Sequence, residues 1–443
     1  MPTQQPFPPS LACTDRAAPD PSGPGSVGAS PVGEVHYVSR QPILDVRGRL
    51  HGYDLLFREF RETVFRGDRE LASRTILDDS VLFGLERYTS GLPAFVECTA
   101  ETLIEGLVQV LPPSMTVLRI PAAEEPSPEL IAACLPLKAA GFRLALDNYT
   151  PHRRLQPLAE RADYFCCDLD RLAPRPQPQP FQLNAPMPRF KSGSGLSVAR
   201  LARKVDTLED FEYARAAGFT LFQGSYFCQP QMLKNRKVPA NRFFQFELLR
   251  HLNGGWLDLR KISELVLRDA ALTYRLLRLV NSPFCALRQE VRSIESAILF
   301  LGEDTFRRIA TLSILSEFNG GQPPEILQMS LLRARFCALA ADTCTLNPAE
   351  QYLLGILSLL PAMLGIPMEA LTPSLPLRPP IREALEGTPN AERSLLTWLE
   401  CHERGDWPQC DCLAATHELD VGRLLFCYVE AVGWAKATLH ATG

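Results

Sequence analysis

From Val35 to about Cys228 the chain alternates short β-rich runs with amphipathic stretches, and after Lys237 that alternation stops. The rhythm predicts parallel strands joined by crossover helices. The strand candidates are VHYVSRQPI, LHGYDLLF, AFVEC, MTVLRI, FRLALD, DYFCCD, LSVARLA and FTLFQGSYF. Helix candidates between them cover residues 71–85, 100–111, 129–140 and 207–217. A segment of about 195 residues with this rhythm suits a TIM-like α/β barrel, whose chemistry sits at the C-terminal ends of the strands. A doubly wound open sheet competes, but no Gly-rich fingerprint follows the first strand to cradle a pyrophosphate.

Beyond Lys237 nearly everything reads at helical spacing, as in Ile262, Leu265, Val266 and then Leu272, Leu276, Leu279. The expected organisation is a Pro-rich tail over residues 1–33, a barrel over 34–233, a linker at 234–239 and an all-α domain over 240–436. The tail carries eight prolines and only three charged residues, a composition that cannot offset its ordering entropy. A second low-complexity piece, residues 173–195, holds six prolines between Pro174 and Pro188 and reads as a long loop inside the barrel.

The charge balance, 46 Lys+Arg against 50 Asp+Glu, leaves no global basic field, so nucleic-acid binding is not expected. Thirteen cysteines lie scattered through apolar runs, which suggests buried thiols in a reducing cytoplasm. The start, MPTQQPFPPSLACTDR, has neither a basic n-region nor an apolar h-region, so a secretory signal is not expected. The longest uncharged apolar stretch, residues 352–368, is short for a membrane span and is interrupted by Pro361 and Pro367, so no membrane insertion is expected.

The ordered series SRQPILDVRGRLHGYDLLFRE, FRLALDNYT, DYFCCD, ARLARKVDTLEDF and FTLFQGSYF resembles the EAL family, whose active members hydrolyse cyclic di-GMP. The stretch from DLRKISELVL to RRIATLSIL, with its NS and LG signatures, is similar to the HDOD domain. RARFCALAAD, LLGILSLLPAMLG and ECHERGDW look like the tail of proteins that join the two. The resemblance implies an EAL-like barrel followed by an HDOD module that contacts signalling proteins.

Two-metal phosphodiester hydrolysis needs several carboxylate or amide oxygens converging on divalent cations, with a group that manages the attacking water. Carried over by this resemblance, the family's glutamate becomes Asp54, its amide ligand Glu97, and the next strand's glutamate Arg119. Asp147 is retained beside Asn148, the lysine position holds Cys166, a further glutamate has become Arg203, Asp206 stands for the second acid, and Gln223 is kept. Arg119 and Arg203 place permanent cations where metal would sit. At about 5 Å and an effective dielectric of about 20, a +1 and a +2 charge repel by roughly 7 kcal/mol. The expectation is therefore a vestigial site with no metal and no cofactor, its acids paired to arginines. A register slip in LRIPAAEE would bring in Glu124 or Glu125 instead.

The alternatives are a cyclic di-GMP phosphodiesterase with atypical ligands using Mg or Mn, and a non-hydrolysing cyclic di-GMP receptor gripped by the two arginines. Leu55 and Leu56 serve either a purine pocket or barrel packing. In the helical half no His-Asp pair exists to hold a metal, and Asp269 reads as a helix boundary. Arg275, Arg278, Arg288, Arg292, Arg307 and Arg308 form either a local basic face or an ordinary solvated surface. Cys401, His402, Cys410, Cys412 and His417 fall close together and could supply four zinc ligands, but their spacing matches no standard finger. The reading is a catalytically inactive signalling adaptor that acts through protein contacts.

Overall fold

A computed structural model describes residues 38–57, 85–121, 126–149, 155–169, 198–228, 242–252, 258–281, 291–319, 322–375 and 377–440. The Pro-rich tail, the 173–195 loop, the 234–239 linker, most of the 71–85 helix, Glu124, Glu125 and Arg288 lie outside the described residues. Eight strands close into a barrel in sequence order: β1 (Val38–Asp45), β2 (Leu50–Phe57), β3 (Ala94–Glu97), β4 (Thr116–Pro121), β5 (Arg143–Asp147), β6 (Tyr164–Asp168), β7 (Ala199–Arg203) and β8 (Leu221–Gln223).

The barrel departs from the all-parallel expectation at its first strand, because β1 runs antiparallel to both β2 and β8. The connection between β1 and β2 is too short for a crossover, which needs a dozen or more residues, so the chain must turn straight back. Asp45 makes that turn: its carboxylate accepts from the amides of Arg47 and Arg49 at 2.8 and 2.9 Å. The remaining neighbours pair in parallel.

The barrel helices are α1 (Leu85–Thr89), α2 (Ala100–Ile104), α3 (Pro128–Ala139), α4 (Gln156–Ala159) and α5 (Leu208–Ala216). The helix expected over 100–111 stops early, since Gly106 adopts a left-handed conformation and a 3-10 turn, Leu107–Val110, follows. Helix α5 begins at a capping box in which Thr207 and Asp210 satisfy each other's backbone amides.

Among its described residues the second half forms helices and no strand. It comprises α6 (Arg242–Leu252), α7 (Leu259–Leu267), α8 (Ala270–Val280), α9 (Ile294–Leu301), α10 (Glu303–Asn319), α11 (Pro324–Ala340) and α12 (Pro348–Leu357). It continues with α13 (Leu360–Leu364), α14 (Met368–Leu371), α15 (Pro379–Leu385), α16 (Ser394–Arg404), α17 (Trp407–Thr416) and α18 (Val421–His440). Asp269 caps α8 by accepting from the Leu272 amide at 2.9 Å. Among the described residues no helix is long and apolar enough to cross a membrane.

Burial of the apolar faces joins the two halves. Leu44 of β1 and Phe222 of β8 belong to the same continuous core as Phe306, Phe336 and Trp398 of the helical half. Helix α16 packs on β1, and α18 packs on α1. At this junction the Tyr53 hydroxyl donates to both carboxylate oxygens of Glu325, at 3.0 and 3.1 Å, and the Arg40 guanidinium lies 4.6 Å from the centre of the Tyr53 ring.

Candidate barrel-mouth site

Alternation along each strand decides which side chains face inward. Phe95, Val117, Ala145, Cys166, Leu201 and Leu221 help fill the barrel interior. Two residues on, at the C-terminal ends, the same faces carry Glu97, Arg119, Asp147, Asp168, Arg203 and Gln223. The hairpin register sets Gln41 of β1 opposite Asp54 of β2, completing the ring.

Arg119 occupies the centre. Its Nη1 lies 2.5 Å from Asp54 Oδ1, and its Nη2 lies 2.6 Å from Asp147 Oδ2 and 3.2 Å from Glu97 Oε2. Its Nε also donates to both oxygens of Asp147 at 3.2 Å. Arg203 brackets the neighbouring acids, with Nη1 3.1 Å from Asp147 Oδ2 and Nη2 2.6 Å from Asp168 Oδ1. Lys204 reaches the other oxygen of Asp168 at 3.4 Å.

Burial is nearly complete at the centre, where Asp54 is 1% and Arg119 2% exposed. Burial pushes the Asp54 carboxyl above its ordinary range, against the pull of Arg119, and pushes Asp147 up to about 6 for the same reason. Desolvation works against the Arg119 charge, but Asp54 and Asp147 overcome it and raise that guanidinium well above its usual value. The cluster is thus a set of mutually repelling acids held by Arg119 at its centre and by Arg203 beside it.

The other sequence-predicted residues do different work. Asn148 sits at φ 51, donates its amide to the Cys166 carbonyl and accepts from the Asp168 amide, so it shapes the backbone between two strand ends. Cys166 is fully buried beside Asp147, its register partner on β5, and burial raises its thiol well above the usual range. Asp206 accepts from the amide and hydroxyl of Ser225 at 3.0 and 2.9 Å, anchoring the turn after β8. Gln223 donates its side-chain amide to Gln41, whose own amide donates to the Glu403 carbonyl at 3.0 Å. Gly224 follows because a Cβ there would come within 2.1 Å of the Val205 carbonyl oxygen.

Sequence reasoning missed Asp168 and Gln41. The signal for Asp168 was its place two residues beyond Cys166 on the same face. Gln41 could be found only through the β1–β2 hairpin register.

Of the C-terminal cysteine and histidine residues, Cys401 and Cys410 lie near each other, but the five do not converge on one point. His402 stacks on Trp398 at 5.1 Å and meets Tyr428 edge-on, and burial pushes its imidazole down to about 3, which keeps it neutral. Cys410 is buried, whereas Cys412, roughly 200° around the same helix, faces another way, and His417 is exposed. Among the described residues no group of three or more His, Cys, Asp or Glu side chains is placed to hold a metal ion. In the helical half Arg275 pairs with Glu317 and Arg307 donates to the Leu252 carbonyl, so these two serve internal contacts.

The HDOD domain family matches residues 240–363. The cyclic di-GMP phosphodiesterase CdgJ of Vibrio cholerae is 30% identical over 413 residues, covering 90% of this chain and 92% of that protein. YuxH of Bacillus subtilis is 29% identical over 415 residues, covering 91% and 99%. An EAL-domain protein from Listeria monocytogenes is similar in structure, with a TM-score of 0.36 and 14% identity over 48% of this chain and 92% of that one.

Proposed function

Because this chain belongs to the two-domain family that joins an EAL-like barrel to an HDOD module, we propose that it is a cyclic di-GMP signalling component that has lost turnover and works through protein contacts. The observation carrying this reading is the Arg119 guanidinium, which donates hydrogen bonds to Asp54, Glu97 and Asp147 at once. The residues present do not fit the divalent ions the family uses. Asp54, Glu97 and Asp147 already face a guanidinium, and a metal at about 5 Å from Arg119 would meet roughly 7 kcal/mol of repulsion at an effective dielectric of about 20.

The same pairing argues against a receptor. Arg119 and Arg203 spend their donors on Asp54, Glu97, Asp147 and Asp168, so neither presents a bidentate face to a phosphate. The protein contacts belong to the helical half, where Leu267, Tyr274, Leu299 and Phe300 leave apolar surface exposed.

A working phosphodiesterase is the second reading, favoured by the name of the Vibrio relative. Purified full-length chain incubated with cyclic di-GMP and Mg²⁺ or Mn²⁺ separates the two. The proposal expects no linear dinucleotide above the protein-free blank, and product formed at an enzymatic rate overturns it.

A further inference from the structure

Among the described residues the barrel mouth is covered unequally. On the β3 and β7 sides the Glu97 and Lys204 side chains are 62% and 55% exposed. On the β1–β2 side lies the end of helix α16. Leu56 is two residues beyond Asp54, on the same inward face at the rim, and Gly405 rests directly against it. A Cβ at position 405 would stand 2.8 Å from Leu56 Cδ1, and Gly405 also holds a left-handed φ of 72°. The left-handed φ favours glycine, and any larger residue would also push the Leu56 side chain aside.

The local chemistry explains the seat. Helix α16 ends in a turn where the Gly405 amide donates to the His402 carbonyl and the Asp406 amide to the Cys401 carbonyl, both at 3.0 Å. Glu403 is among the last residues of the helix, whose carbonyls have no partner within it. The barrel supplies one: Gln41 donates to the Glu403 carbonyl, and Gln223 at the mouth donates in turn to Gln41. The Glu403 side chain is held from the other direction by Arg333 of α11 at 2.7 Å. The turn is therefore bonded to the helical half through its side chain and to the barrel mouth through its backbone.

The geometry points to residues 403–405 as an internal gate, a turn of the helical half seated on the β1–β2 rim that any molecule lying on Leu56 must displace. The gate concerns access and holds whatever chemistry lies beneath it, so its failure is distinct from finding turnover. Access to Leu56 on the β1–β2 rim is thereby tied to the position of α16 and of the α11 arginine that holds it. A partner that draws α16 away exposes Leu56 further, and one that fixes α16 keeps it partly shielded.

Hydroxyl-radical footprinting of the full chain, read by mass spectrometry at Leu56, tests this. Gly405→Val is expected to raise Leu56 oxidation about fivefold by opening the local seat. Gly387→Val is the control, since Gly387 has a comparable φ of 94° but nothing within 4 Å of the added Cβ, and it should leave Leu56 protected. If Gly405→Val does not fold, Gln41→Ala replaces it, with an expected rise of about twofold from losing the hydrogen bond. Unchanged oxidation in the folded seat variant, or an equal rise in Gly387→Val, overturns the gate.

Discussion

Strand β2 presents consecutive side chains, Tyr53 and Asp54, to opposite faces, and each meets a buried ionic group of a different kind. Inside the mouth Asp54 meets a guanidinium at hydrogen-bonding distance, and that guanidinium is shared with two more acids. Outside, at the junction, Tyr53 gives Glu325 only a neutral phenol, while Arg40 acts on it from across the Tyr53 ring. Burial accordingly pushes the Glu325 carboxyl up to about 7. The difference teaches that contact with guanidinium groups only partly offsets burial, leaving Asp147 at about 6, whereas Glu325, with a phenol in contact and Arg40 acting over the Tyr53 ring, is pushed up to about 7.

The sharpest way to break this contrast is Arg119→Met, which leaves Asp54 and Asp147 buried with their main partner gone. Urea unfolding at pH 7.5 should show a loss of about 3–5 kcal/mol, the cost of an orphaned buried charge. The loss should shrink in acid, because protonated carboxyls no longer need the cation. A variant as stable as the parent at pH 7.5 would mean that the mouth is not held by this pairing.

At the junction Glu325→Gln should act in the opposite direction. Glu325 has a folded value of about 7 against an ordinary 4.5, so between those values the folded chain keeps a proton that the unfolded chain has released. This group's contribution to stability is therefore greatest below the ordinary value and falls as pH rises through the window, levelling off above about 7. Glutamine cannot ionise, so the variant should match the parent near pH 4.5 and exceed it at pH 8 by up to about 3 kcal/mol, since each pH unit between the folded and unfolded values is worth about 1.4 kcal/mol. Parallel stability profiles for parent and variant would show that Glu325 does not titrate there.

These two sites were unequally legible. Asp54, Glu97, Arg119, Asp147 and Arg203 could be named through the EAL resemblance, and alternation along the strands places them on one face. That all three acids converge on Arg119 required the barrel to close, which no single strand encodes. Asp168 ends a strand that was recognised yet carried no assigned role, because the resemblance loses its lysine two residues earlier, at Cys166. The junction was invisible: Tyr53 and Glu325 are 272 residues apart, and Gln41 and Glu403 are 362 apart. Tyr53 reads locally as an ordinary strand aromatic and Glu325 as an ordinary first-turn helix acid. Antiparallel β1 was readable from the short connection after Asp45, but the prevailing β-helix-β rhythm outweighed it.

The smallest expected effect separates the two arginines of the mouth itself. Arg203 has a side chain 12% exposed against 3% for Arg119, and its main partner Asp168 keeps Lys204 when it is removed. Asp147 likewise keeps Arg119. Arg203→Ala thus leaves no acid without a cation, and water can reach the gap, so thermal or urea unfolding should show a loss of only about 1–2 kcal/mol. Placing Arg119→Met and Arg203→Ala in one double-mutant cycle then measures their coupling through Asp147, the acid they share. The double variant should lose more than the sum of the single losses, by about 1 kcal/mol, because only then is Asp147 stripped of both partners. Strict additivity would mean that the two arginines hold the mouth independently, and that the ring of charge is two separate pairs.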